Sequence, residues 1–117
     1  MDFRNYYYYV PVNFYETPEM VLIDHEPNGD SATVLVLALA KIHTRTVTKN
    51  DDGTFTIVTD DGTFTDTEVM EILSSFGYRA NNVKYTRALD VIARFPPFDY
   101  LAYSDEERDA KTPEGYR

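Results

Sequence analysis

Positively charged side chains concentrate in one short part of an otherwise acidic chain. Its 117 residues include 11 Lys and Arg against 20 Asp and Glu, a net charge of −9. Between residues 79 and 94, in contrast, four basic residues accompany a single acid, Asp90. Basic side chains in such a cluster can bind phosphates, and neighbouring amides and hydroxyls can bind phosphates or base edges. The candidate nucleic-acid-binding residues are Arg79, Asn81, Asn82, Lys84, Thr86, Arg87 and Arg94. A helix face that is merely solvated would have the same composition, so both interpretations stay open.

Acidic side chains form two groups of their own, one around a predicted hairpin and one around the first predicted helix. Such groups can occupy a basic groove made for nucleic acid, which makes a basic nucleic-acid-binding protein the alternative partner. Turn chemistry and solubility explain the same residues without any partner. The candidate protein-interaction residues are Glu16, Glu19, Asp24, Glu26, Asp51, Asp52, Asp60, Asp61 and Asp66.

Residues able to catalyse a reaction or hold a metal do not form a convincing set. Asp24, His25 and Glu26 are compact in sequence, but neighbours on a helix point in different directions. His43 is expected at the end of a helix, near its C-terminal dipole. The repeated Asp-Asp-Gly-Thr-Phe-Thr, at 51–56 and 60–65, lacks the pattern of a calcium loop. With no cysteine, nucleophile motif or phosphate loop, we predict no catalytic residue, metal or cofactor.

The elements that would position these residues are mainly helical. Residues 5–15 are rich in aromatic and alternating apolar residues, which predicts a strand. Thr17-Pro18-Glu19 starts a helix that stops before Pro27. A second helix, capped by Asp30 or Ser31 and reaching Thr46, is apolar on nearly every side to Ala40, so we expect it to be central.

The two Asp-Gly turns predict a hairpin around "TFTIVT". Thr65 and Glu68 form a capping box that opens a helix ended by Gly77. Asn81 or Asn82 caps a further helix, ended by Pro96-Pro97, and the two helices resemble a helix-turn-helix unit. In this last helix the basic side chains share one face, and Tyr85, Ala88, Leu89, Ile92 and Phe95 share another.

These pieces, in this order, resemble the N-terminal domain of phage replisome organiser (replication initiator) proteins. The matching pieces cover about residues 5–95 and are "YYYYVPVNFYE", "PEMVLID", "NGDSATVLVLALA", "NDDGTF", "TEVMEILSSF" and "NNVKYTRALDVIARF". The resemblance implies a winged-helix fold, origin DNA as ligand and a part in starting phage DNA replication. It also implies that the helix at 82–95 is the recognition helix, and that the opening tyrosines form a strand packed on the helical core.

We therefore expect a mainly α fold with a small β-hairpin or sheet, a winged helix-turn-helix, over residues 1–100. Residues 101–117 should form a flexible acidic tail, apart from a possible short strand near its start. The expected partner is double-stranded DNA, with a basic nucleic-acid-binding protein as the alternative and a homodimer compatible with either. An acidic phage-encoded inhibitor of a host defence enzyme, of the anti-CRISPR type, would use the same scaffold. No membrane segment is evident, and the expected location is the cytoplasm of a bacterial host.

Overall fold

A computed structural model describes residues 7–111 as five helices, one 3₁₀ turn and one three-stranded antiparallel sheet. The mainly helical composition with a small sheet agrees with the sequence prediction. The elements are the 3₁₀ turn Phe14–Glu16, α1 Pro18–His25, α2 Gly29–Ala40, β1 Thr44–Lys49, β2 Phe55–Thr59, β3 Gly62–Thr65, α3 Asp66–Ser75, α4 Asn82–Ala93 and α5 Asp105–Lys111. None of the helices in this part of the chain is both long and apolar enough to cross a bilayer.

The sheet confirms the two predicted Asp-Gly turns. The strand order is β1-β2-β3, with Ile57 of β2 opposite Val47 on one side and Phe64 on the other. Gly53 and Gly62 have backbone φ angles of 88° and 137°. Residues that carry a Cβ rarely adopt such positive φ angles. The repeated motif is therefore used twice for reversing the chain.

Helix α2 is the centre of the core, as its apolar composition predicts. Leu35, Val36 and Leu39 are fully buried, and α2 packs against both α1 and α4. Burial of apolar side chains on several faces of α2 holds these three helices together. The start of α2 approaches the end of α1 closely enough that Gly29 has no room for a side chain.

Helices α3 and α4 both begin at predicted caps, and α4 ends at Ala93, two residues before the predicted end. The Thr65 hydroxyl accepts a bond from the Glu68 amide (3.1 Å), and the Glu68 carboxylate accepts one from the Thr65 amide (2.9 Å). The Asn81 side chain accepts a hydrogen bond from the Lys84 amide at 2.8 Å. The Tyr85 hydroxyl donates to the backbone oxygen of Asp66 at 2.7 Å, which ties α4 to the start of α3.

The second predicted helix is wrong at both ends. It begins at Gly29 rather than after a cap at Asp30 or Ser31, with Asn28 left-handed at φ 68°. It ends at Ala40, and β1 occupies the residues that were expected to continue it. The cause at this end is the β-branched run from Thr44 to Thr48, which fits a pleated strand better than a helix.

The two ends of the described chain also differ from expectation. Residues 5 and 6 lie outside the described residues, and over 7–15 only Tyr9 pairs like a strand, in one bridge to Ala102. Residues 98–103 are largely buried, and α5 stands where a flexible tail was expected from residue 101. The physical reason is the apolar and aromatic character of this segment, which packs into the core. Within residues 7–111 all three strands precede α3 and α4.

Candidate nucleic-acid interface

Four basic residues that make no ion pair with the rest of residues 7–111 are linked through shared grooves or helix spacing. Among residues 7–111, Arg45, Lys49, Arg94, Arg108 and Lys111 pair with carboxylates. The remaining four Lys and Arg of this part of the chain make no ion pair within it. We call them the cationic stripe, which consists of Lys41, Arg79, Lys84 and Arg87.

Neighbouring grooves join the members of the stripe. Lys41, just beyond the end of α2, and Arg79, in the turn before α4, line one groove. Arg79 and Lys84 line a second groove, which also contains Asp30. Lys84 and Arg87 stand three residues apart on α4, and residues at this spacing are neighbours on a helix surface. All four residues are exposed, so the stripe presents four positive charges to solvent, with Asp30 beside two of them.

The polar residues predicted beside these cations have different surroundings. The Asn81 side chain is used as the cap of α4. Asn82 and Thr86 are exposed and line a shallow depression with Asp66 and Tyr85. Thr86 and Arg87 also border a cavity of about 240 Å³ between α4 and the β1–β2 turn. Asn82 and Thr86 can therefore reach a ligand lying along α4, whereas the side-chain oxygen of Asn81 already accepts the Lys84 amide.

Arg94 is balanced by acids at the far end of α4. It donates to Asp90 at 2.6 Å and to Glu26 at 3.2 Å. Asp90 also accepts a bond from Lys49 at 2.9 Å. The Lys49 ammonium, with a smaller contribution from Arg94, keeps the pKa of Asp90 below its usual range. Arg94 lines the same cavity as Arg87, but its charge is compensated, so it is not counted in the cationic stripe.

Several of the predicted acidic residues have structural partners. Asp60 accepts from Arg45 at 2.5 and 2.9 Å, and Asp66 accepts from the Phe55 amide at 3.2 Å. Asp52 closes the β1–β2 turn through Thr54, and these hydrogen bonds lower its pKa. Four others are exposed and make no ion pair with the rest of the described chain. They are Glu16, Glu19, Asp24 and Asp51.

A polar cluster that the sequence did not indicate fastens α5 to the sheet. Arg45 donates to Glu107 at 2.6 Å as well as to Asp60, and its guanidinium lies 4.8 Å from the centre of the Tyr103 ring. The His43 ring stacks on the Tyr103 ring with 4.4 Å between their centres, and its Nε2 is 2.6 Å from the backbone oxygen of Tyr7. His43 lies beyond α2 with φ 52°, not in its last turn as predicted. No local pattern marks this cluster, because its members are distant in sequence.

Metal-binding geometry is absent from the part of the chain that the structure describes: no three His, Asp or Glu residues there converge as ligands. In particular, Asp24 and His25 are both exposed on α1, and Glu26 is turned to Arg94. Comparisons with protein-family models, curated proteins and solved structures gave no significant match to this chain.

Proposed function

We propose that this protein is a phage-type DNA-binding protein of winged-helix character, acting in the initiation or regulation of replication. In this proposal α4 enters the major groove of duplex DNA, and the cationic stripe binds the flanking phosphates. The single observation that carries the proposal is that Lys41, Arg79, Lys84 and Arg87 are exposed, are linked through shared grooves or helix spacing, and make no ion pair inside the described chain.

The position of the stripe supports duplex DNA as the anion. The second helix of a helix-turn-helix unit is the one that enters the groove, and α4 holds that position after α3. Its buried face, with Tyr85 and Leu89, packs on the core, which leaves Lys84 and Arg87 outward. The β2–β3 hairpin directly before α3 is the candidate wing, and replication is the setting implied by the resemblance of the chain to phage initiators.

The test is binding to labelled duplex DNA from the protein's own genomic neighbourhood at several salt concentrations. We expect binding that weakens steeply with salt, because cations on the protein displace counterions from the phosphates. The Lys84→Gln, Arg87→Gln variant should bind at least tenfold more weakly at low salt, and its salt slope should fall by about 2, one for each lost phosphate contact.

A matched control separates the stripe from bulk charge. The exposed residues Thr48 and Ala110 lie on β1 and α5, outside the helix pair and the candidate wing. Thr48→Glu with Ala110→Glu changes the net charge by −2, as the double Gln variant does. Binding by this control should be close to that of the parent protein. Equal losses in both variants would mean that net charge alone governs binding, and no DNA binding at low salt would refute the proposal.

The second candidate function is binding to a basic nucleic-acid-binding protein. It is supported by the exposed carboxylates of Glu16, Glu19 and Asp24 in and before α1, which make no ion pair within the described chain. No Lys or Arg occurs between residues 5 and 40, so this end of the chain presents acidic charge without compensation along the sequence. A protein that fails to bind DNA, but competes with DNA for a basic host enzyme, would favour this function.

A further inference from the structure

An apolar groove with a basic rim separates α2 from the end of α3 and the turn that follows it. Its volume is about 380 Å³, and its apolar wall includes Val34, Leu37, Leu73 and Tyr78. Its rim carries two members of the cationic stripe, Lys41 and Arg79. Val34 is 59% exposed although it is a large aliphatic residue in the middle of a helix. A groove of this kind fits a partner surface that is both apolar and acidic.

The chain carries such a surface itself, on the 3₁₀ turn and α1. Six of the eight large hydrophobic residues exposed in the described chain lie between residues 7 and 22, and Tyr15 and Leu22 are 67% and 55% exposed. The exposed carboxylates of Glu16 and Glu19 are interleaved with them. We call this surface, with its centre at Tyr15 and Leu22, the N-terminal face.

Tyr8 of the same molecule lines the groove, but the rest of the N-terminal face is not arranged to cover it. Glu19 lies beside Arg94 and Tyr100 at the C-terminal end of α4. Arg79, on the groove rim, lies just before the first residue of the same helix. Helix α4 has 12 residues and is about 18 Å long, so the two surfaces belong to opposite ends of it.

We propose that the protein self-associates, with the N-terminal face of one copy seated in the apolar groove of a second copy. Apolar contact between Leu22 or Tyr15 and Val34 would remove both exposed patches from water. The carboxylates of the N-terminal face would meet Lys41 and Arg79 of the other copy. This contact joins two different surfaces. It uses Lys41 and Arg79, so it would compete with DNA for these two members of the cationic stripe, and it can be tested without DNA.

Sedimentation of the purified protein without DNA, over a range of protein concentrations and at low and high salt, tests the proposal. We expect a mass above that of one chain at high protein concentration, with association weakened by salt. Val34→Asp and, separately, Leu22→Asp should each weaken association at least tenfold. Val83→Asp is the matched control, because Val83 is 58% exposed on α4 and does not line the groove. Circular dichroism of each variant checks that the fold is kept.

Mixing the two disruptive variants identifies which surfaces meet. The Val34→Asp variant keeps its N-terminal face and the Leu22→Asp variant keeps its groove, so an equimolar mixture should regain a species of two chains. A parent protein that stays monomeric at every concentration would overturn the proposal. An equal loss of association in the Val83→Asp variant would also overturn the proposal. A mixture that stays monomeric would do so as well, because it would mean that like surfaces pair.

Discussion

Gly29 is the residue at which a single methyl group should matter most. A Cβ built there would lie 2.3 Å from the backbone oxygen of Ile23 and 2.5 Å from that of Asp24. These contacts are with backbone, so they can be relieved only by moving α1 and α2 apart. We expect Gly29→Ala to lower the free energy of unfolding by about 3 kcal/mol, the upper part of the usual cost of overpacking. Urea denaturation followed by circular dichroism measures it.

Gly53→Ala is the control for this substitution. Gly53 has φ 88°, and a Cβ added there would have nothing within 4 Å, so an alanine meets only backbone strain of about 1–2 kcal/mol. Equal losses in the two variants would contradict the steric explanation for Gly29. The sequence predicted that α2 would start after a cap at Asp30 or Ser31. It did not predict a start at Gly29, because the demand for glycine comes from α1 packed against it.

Helix α5 should depend on one arginine of β1. Arg45 joins Asp60 of the β2–β3 turn to Glu107 of α5, at 2.5 and 2.6 Å. The Arg45 side chain is 37% exposed, so solvent screens the pairs and their contribution is about 1 kcal/mol. We expect Arg45→Gln to speed amide hydrogen exchange in residues 105–111 about fivefold, which is the same free energy expressed as a local opening constant.

Lys49→Gln provides the comparison within the same strand. It removes the pair between β1 and Asp90 of α4 and leaves α5 untouched, so exchange in 105–111 should stay at the parent rate. Faster exchange in both variants would show a general loss of stability instead of a local attachment.

Features of a single element that depend on residues close together in sequence could be predicted. The capping box of Thr65 and Glu68 and the helix cap at Asn81 are both confirmed. The attachment of α5 to the sheet could not be predicted, because Glu107 lies 62 residues from Arg45 in the sequence.

The surface charge of the whole molecule also depends on contacts that are local in sequence and on contacts that are not. The sequence between residues 79 and 94 was enough to predict Lys84 and Arg87 as binding residues, because they share one helix face. The sequence did not predict Lys41 as a member of the cationic stripe. Lys41 reaches the stripe only because α2 packs against α4. The sequence also predicted Arg94 as a binding residue, but its charge is balanced by Glu26, which follows α1. Pairing between distant elements therefore decides which charges remain available at the surface.

The stability of the whole protein should fall in acid. Hydrogen bonds from Arg45 lower the pKa of Asp60 and Glu107, and the bond from Lys49 lowers that of Asp90. Carboxylates whose pKa is lower in the folded state stabilise it above the unfolded pKa of about 4, and this stabilisation is lost as pH falls through the folded value. We expect the melting temperature to drop below about pH 4, and to drop less steeply in Arg45→Gln.

Stability should also fall in strong base, because buried tyrosines resist ionisation. Burial raises the pKa of Tyr100 to about 12 and also raises that of Tyr85 and Tyr103. A pKa raised by folding gives stabilisation that is complete below the unfolded value of about 10 and is lost as pH rises through the folded value. Tyr103→Phe removes one such group, so the decline of the melting temperature above about pH 10 should become shallower.

At pH 7 the same variant should be less stable by about 1 kcal/mol, because the Tyr103 hydroxyl donates to the backbone oxygen of Thr44 at 2.8 Å. Tyr15→Phe is the control for the loss of a hydroxyl, since Tyr15 is 67% exposed and its replacement should change the free energy of unfolding by less than about 0.5 kcal/mol. Melting curves from pH 7 to pH 12 measure both effects. A Tyr103→Phe variant with the parent's decline in base would mean that the packing of this ring, rather than the proton on its hydroxyl, limits stability there.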